Sequence, residues 1–231
     1  MNKLSISYKK NADSYSIIIG KKHLVTSKGK VITFKNLSFV KKVVEDLKAI
    51  TCHEVLNDNN LIKFLIFSEE IKKKSLLKTI ADHMETDTVL YRDYEGTRLE
   101  ILQKIHWDPI VVYVEQRYKM IFKIQHGIIP ISQNENNLNI LYEYLYNINN
   151  QMLTVFYFLT KITNSVIIAI SLLDNIISTD KAWELSNIEH QYNILKWGEI
   201  EDEKQKLLLK KSFYTDIIKF RNLINMICEE K

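Results

Sequence analysis

Met152 to Leu173, MLTVFYFLTKITNSVIIAISLL, is the stretch on which the fold class turns. It is long and apolar enough to suggest a bilayer span, which would make this a membrane protein. Lys161 and Asn164 fall near its middle. A central lysine costs roughly 2.5–3.5 kcal/mol on insertion scales. A helix buried in a soluble bundle accounts for the same residues without that cost, and this reading is preferred over a membrane-associated protein.

Outward from this stretch, the periodicity is helical from about residue 58 to the C-terminus. Leu76, Leu77, Ile80 and Met84 lie at helical spacing within Ile71–Met84. Thr88–Tyr91 reads as extended. Leu99–Ile105 reads as a short helix, and Trp107-Asp108-Pro109 as the opening of another. Asp108 suits the N-cap of that second helix and Pro109 its first turn. Ile121–Gln125 reads as a strand ending at Gly127. Asn136–Ile148, Met152–Leu173, Thr179–Trp197 and Lys204–Ile227 read as helices.

The beginning of the chain has a different pattern. Leu4–Tyr8 alternates, Tyr15–Ile19 is β-rich and ends at Gly20, and His23–Thr26 and Val31–Phe34 follow around Gly29. Short runs of this kind predict a small antiparallel sheet. Asn36 or Ser38 then caps a helix with Val40, Val43, Val44 and Leu47 on one face. The expected class is α+β: a small antiparallel-sheet domain with one helix over residues 1–55, then a larger all-helical domain over 56–231, an irregular or orthogonal bundle.

Composition excludes more than it selects. Of the 231 residues, 46% are hydrophobic and 26% charged, and the net charge is +4. These are ordinary globular values. Arginine is scarce and no block of like charge forms a nucleic-acid arm, so no nucleic-acid partner is expected. The two cysteines, Cys52 and Cys228, lie far apart, which argues against a disulfide framework or a structural zinc site. The opening MNKLSISYKK has neither the apolar core of a secretory signal nor an Arg-rich presequence, so cytoplasm is the default expectation.

Catalytic motifs are missing. There is no GxxxxGK[ST], GxGxxG or GxSxG, hence no recognisable phosphate cradle or serine elbow. The six histidines never take a tight ligand spacing. Cys52-His53, Asp82-His83 and Glu189-His190 are neighbours, and neighbours on a helix diverge by about 100°. No metal, cofactor or small-molecule substrate is expected.

Thr179–Trp197 carries two of the three tryptophans, Trp183 and Trp197, roughly four helical turns apart and so toward one side of a single expected helix. Leu185, Ile188, Tyr192 and Leu195 form its core stripe; Trp183, Ile194 and Trp197, with His190 among them, form an opposite face, and Glu189 edges the first stripe. The acids Glu199, Glu201, Asp202 and Glu203 follow, suited to the positive end of the next helix. Such a helix is either enclosed in a bundle or offers one face to a partner.

Ala182-Trp183-Glu184-Leu185-Ser186, then Glu189, Tyr192 and Lys196-Trp197-Gly198-Glu199, resemble the C-terminal signature of the assembly chaperones of the F-type ATP synthase catalytic head, found in mitochondria and α-proteobacteria. Gln103 with Trp107-Asp108-Pro109 is similar to that family's Gln…Trp-Asp-Pro element. Asp87, Tyr91 and Arg92 are similar to its Thr-Asp…Tyr-Arg step, and Gly127-Ile128 with Gln133 to its Gly-Ile…Gln segment. Tyr8, Tyr15–Gly20 and Leu24–Thr26 fit its β-rich beginning more loosely. His190 stands where the family tends to have a second acid and Asn193 where it tends to have Gln, so the family's functional acid carries over only to Glu189.

The resemblance implies a non-enzymatic chaperone that binds the newly made ATP synthase α subunit, masks its β-subunit-facing surface and releases it during assembly. It implies partner binding through Glu189, Trp183, Trp197 and Glu199, with Asp87, Tyr91, Arg92, Gln103, Trp107, Asp108 and Pro109 in structural or inter-domain roles. It also implies a mitochondrial matrix location if the source is eukaryotic. The competing reading is a small enzyme with an inter-domain site built from scattered groups such as Asp87, Tyr91, Arg92 and Glu189.

Overall fold

The structure, a computed structural model, describes residues 5–49 and 58–229. Leu4, Cys52, His53 and the side chain of Cys228 lie outside what is described. The fold is α+β, as the sequence predicts: a small β-containing beginning followed by a large helical region. The chain separates into two compact units. The first is Met1–Ile71 with Asn150–Val155 and Thr215–Lys231; the second is Lys72–Asn149 with Phe156–Tyr214.

In the first unit, β1 (Ile6–Lys10) and β2 (Tyr15–Ile19) pair antiparallel, with Ile6 opposite Ile19 and Tyr8 opposite Ile17. Strand β2 also pairs with β3 (Lys22–His23) and β4 (Thr33–Phe34). Helix α1 (Leu37–Lys48) packs on β1 and β2 through Val40, Val43, Val44 and Leu47, the face that the spacing predicts. Asn36 is its N-cap, accepting from the Phe39 N–H at 2.9 Å. Helix α2 (Asn60–Glu70) places Phe64 against Phe220, with ring centroids 5.5 Å apart.

The second unit starts with α3 (Lys73–Glu85), whose buried residues include the expected Leu76, Leu77, Ile80 and Met84. Thr88–Leu90 is a 3-10 turn, not extended; only Tyr91–Arg92 forms a strand, β5. Helix α4 (Arg98–Tyr118) corrects the expectation of two helices around Asp108-Pro109. Thr97 caps it by accepting from the Glu100 N–H at 3.1 Å. Asp108 does not cap a helix but pairs with Arg92 at 2.9 Å, and Pro109 sits inside the continuous helix. Of the strand expected at Ile121–Gln125, only Gln125 enters one, β6 (Gln125–His126), parallel to β5. Side-chain amides do a sheet's work on the rest. Asn137 accepts from the Ile121 N–H and donates to its carbonyl, and Gln133 does the same at Lys123.

Helix α5 (Glu135–Asn147) is followed by a second correction. Residues 152–173 do not form one helix but end α6 (Asn150–Thr163) and fill α7 (Val166–Leu173). Asn164 takes φ +52°, a left-handed conformation that asparagine tolerates better than most residues. Ser165 then caps α7, accepting from the Ile168 N–H at 3.0 Å. Among the described residues no helix is long and apolar enough to cross a membrane. The third correction concerns Thr179–Trp197, which is two helices, α8 (Thr179–Leu185) and α9 (Ile188–Trp197). Helix α10 (Glu201–Glu229) follows, with Glu201, Asp202 and Glu203 in its first turn as expected.

Candidate functional site

The candidate site is the corner where α8 turns into α9. Asn187 makes that corner: its side-chain amide donates to the Trp183 carbonyl at 2.7 Å and to Ser186 Oγ at 2.9 Å. These bonds occupy the end of α8 from the side, so the chain leaves it and restarts at Ile188. The single-helix wheel is lost with the break. Trp183 and Trp197 do not share a helix, and the expected core stripe ends early, because Leu185 and Ile188 are buried while Leu195 is 85% exposed.

Helix α4 holds both sides of the corner. Trp107, fully buried, donates its indole N–H to the Leu185 carbonyl at 3.0 Å, where α8 ends. One helical turn earlier, Gln103 donates to Glu189 Oε1 at 2.7 Å, where α9 begins. Gln103 Oε1 accepts from the Asp93 N–H at 2.8 Å. Arg92 lies against the Trp107 ring, 5.3 Å from its centroid, and its Nε donates to the Val89 carbonyl. Glu189 is exposed as a residue, yet its carboxyl pKa is raised. Partial desolvation is the main cause, the Gln103 hydrogen bond opposes it, and the charge of Asp93 adds to it.

Asp87 is wholly buried and anchors the corner's other neighbours. Its carboxylate accepts from the Val89 N–H at 3.0 Å and from the Val166 and Ile167 N–H groups at 2.7 and 3.0 Å. It therefore sits on the positive end of α7. Burial still dominates and pushes its pKa up to about 6. Tyr91 donates to the Glu85 carbonyl at 3.1 Å. Asp87 and Arg92 are thus engaged with backbone and with Asp108, and all seven residues from Asp87 to Pro109 singled out by the sequence lie in the second unit.

The surface beside the corner is apolar. On α4, Ile101, Ile105 and Val112 are 48%, 61% and 45% exposed. They recur at helical spacing, opposite the buried Gln103, Trp107 and Val114. A groove of about 650 Å³ runs between α4 and α9, lined by Arg98, Ile101, Leu102, Tyr192, Leu195 and Lys196. Trp197 is 76% exposed, with Lys196 Nζ 4.9 Å from its ring. Trp183 is half-buried against Tyr214, with Lys210 over its ring. Glu199 pairs with Lys204 at 2.9 Å. A second, polar cavity of about 470 Å³ meets Glu189, His190, Asn193, Glu203, Lys206 and Lys210. In it, burial lowers the Lys210 pKa. Among the described residues no three His, Cys, Asp or Glu side chains are grouped to hold a metal.

No family model matches the chain. It is 29% identical over 153 residues to the protein atp12 of Schizosaccharomyces pombe, a mitochondrial protein. That match covers 62% of this chain and 52% of the relative, so it spans about half the relative's length. The crystal structure of Atp12 from Paracoccus denitrificans superposes with a TM-score of 0.83 at 19% identity, covering 95% of each chain. A point mutant of the same protein gives 0.85 at 18% identity over 96% of this chain and 97% of that one. The chain thus resembles atp12 of Schizosaccharomyces pombe in sequence and has the fold of Atp12 from Paracoccus denitrificans. A chaperone candidate from Agrobacterium tumefaciens shares the fold, with a TM-score of 0.82 at 15% identity over 96% and 84% of the two chains. The family resemblance read from the tryptophan and Trp-Asp-Pro segments is borne out.

Sequence reasoning reached Glu189, Gln103 and Trp107 but missed the stripe of Ile101, Ile105 and Val112. Its signal was available: the three recur on one helical face. The expected helix break at Asp108 hid it.

Proposed function

We propose that this chain is an assembly chaperone without catalytic activity that binds the ATP synthase α subunit, covers the surface destined for the β subunit, and yields it as the β subunit arrives. The observation that carries the reading is the exposed apolar surface of α4 and α9 beside Glu189. Isoleucines, a leucine and a tryptophan left in water are costly to solubility unless a partner covers them. Such a surface masks an aggregation-prone partner by exchanging one apolar contact for another, and mass action with the proper subunit ends the complex. Glu189, Trp197 and Glu199 lie on or next to this face, and Trp183 supports the corner from α8.

No chemistry is required of the chain under this reading, and neither a nucleotide nor a membrane is. Asp87 and Arg92, the groups best suited to an enzyme, are used in capping α7 and pairing with Asp108. The location is the compartment where the α subunit is folded: bacterial cytoplasm or mitochondrial matrix. The test is capture. Purified full-length chain, mixed with ATP synthase α subunit from its own source, is expected to co-elute with it and suppress its aggregation on dilution from denaturant. Folded chain that does neither removes the reading.

A further inference from the structure

Gln103 is fully enclosed on α4 with a partner at each end of its amide. Chemistry settles which way that amide points. The Asp93 backbone N–H can only donate, so the amide oxygen must face it, and the nitrogen is left facing Glu189. A glutamine locked this way offers Glu189 a donor and cannot accept from it. Glu189 Oε1 is therefore used as an acceptor, and among the described residues no donor reaches Oε2. Nor does any described cation pair with Glu189: the lysines of the adjoining cavity, Lys206 and Lys210, form no ion pair with it, and Asp93, His190 and Glu203 complete the titratable groups around it.

We propose that Gln103 is a positioning residue whose amide holds the Glu189 carboxylate in one orientation, with Oε2 offered to a cationic side chain of the partner. This rests on the chaperone reading. The complementary feature is a Lys or Arg on the partner, set among apolar side chains that enter the groove between Ile101 and Leu195. Tyr192 and Lys196 follow Glu189 at three and seven residues on α9, so the acid and the groove share one helical face. A single charge-assisted bond at the rim of an apolar contact sets register and partner choice more than it sets bulk affinity.

Two measurements on the full chain separate the parts. Carboxyl-carbon NMR of Glu189, without any partner, reads the positioning. In Gln103→Glu two carboxyl groups meet where an N–H···O bond stood, and Glu189 is expected to titrate at least about one unit higher than in the wild type. An unchanged titration overturns the positioning role, and so does an unchanged titration in Gln103→Met, which keeps the volume but removes the N–H donor that lowers the Glu189 pKa. Capture of the α subunit reads the recognition. Gln103→Glu and Glu189→Gln are each expected to weaken it about tenfold or more at low salt, with a shallower salt dependence. Wild-type capture by Glu189→Gln overturns the recognition role. Glu189 is exposed, so that variant decides the matter even if Gln103→Glu does not fold. If the wild-type chain captures no α subunit, the chaperone reading and the recognition role fall together, and the NMR titration still decides the positioning role.

Discussion

Asp87 shows how much can rest on a single residue. Among the described residues no cation pairs with its carboxylate, which meets backbone N–H groups, the Ser165 side chain and the end of α7, and its pKa rises from 3.8 to about 6. A raised pKa means that the folded state binds the proton more tightly than the unfolded chain. The stability linked to that proton is fully present below pH ~4 and is lost as pH rises through ~6, a change of about 3 kcal/mol at 1.36 kcal/mol per unit. Urea titrations of the wild type from pH 4 to 7 are expected to show this fall. Asp87→Asn, with nothing to titrate there, is expected to lack that component and to be less stable at every pH, because in either amide orientation its NH₂ would face a backbone N–H donor, that of Val89 or those of Val166 and Ile167. Equal pH slopes in the two proteins would refute the assignment. The sequence marked Asp87 through its family resemblance. That it caps a helix some 80 residues away was illegible, because no local pattern encodes a long-range cap.

Among the elements, helix breaks were the hardest feature to read. The sequence patterns of α1 and α3 were legible because one apolar face and a polar boundary coincide. At Asn164-Ser165 and Ser186-Asn187 the apolar periodicity runs on through the break, and only side-chain bonds to backbone reveal it. Conversely, Asp108-Pro109 has the residues of a helix start, but tertiary pairing with Arg92 recruits the aspartate and the helix continues. Removing the Ser165 hydroxyl should therefore matter: Ser165→Ala is expected to cost about 1 kcal/mol, read from the thermal midpoint. Pro109→Ala restores a backbone N–H inside α4 and is expected to stabilise by about 1 kcal/mol or more. A loss of stability there would mean that the proline's fixed φ is needed to seat the buried residues of α4.

For the whole molecule, the fold class was legible from the switch between period-two and helical patterning, and the family from ordered short motifs. Of the apolar surface only the recurrence of Ile101, Ile105 and Val112 on one helical face was legible; its exposure depends on how α4 is oriented and on where α9 begins. That surface gives the sharpest separation of folding from function. Ile105→Glu and Leu195→Glu, both at exposed positions, are expected to leave the melting temperature within about 1 °C, since exposed changes lie within roughly ±0.5 kcal/mol, and to abolish α-subunit capture. Melting unchanged with capture intact would move the binding surface elsewhere. The bonds from Asp87 to Val166 and Ile167 carry one more consequence, for the order in which the chain can fold. A ribosome working at about 5–20 residues per second delivers the two partners roughly 4–16 s apart. Until the later segment emerges, the carboxylate stays hydrated and the start of α7 does not yet exist. The second unit thus closes late in synthesis, through a contact of high sequence separation whose loop entropy must be met first.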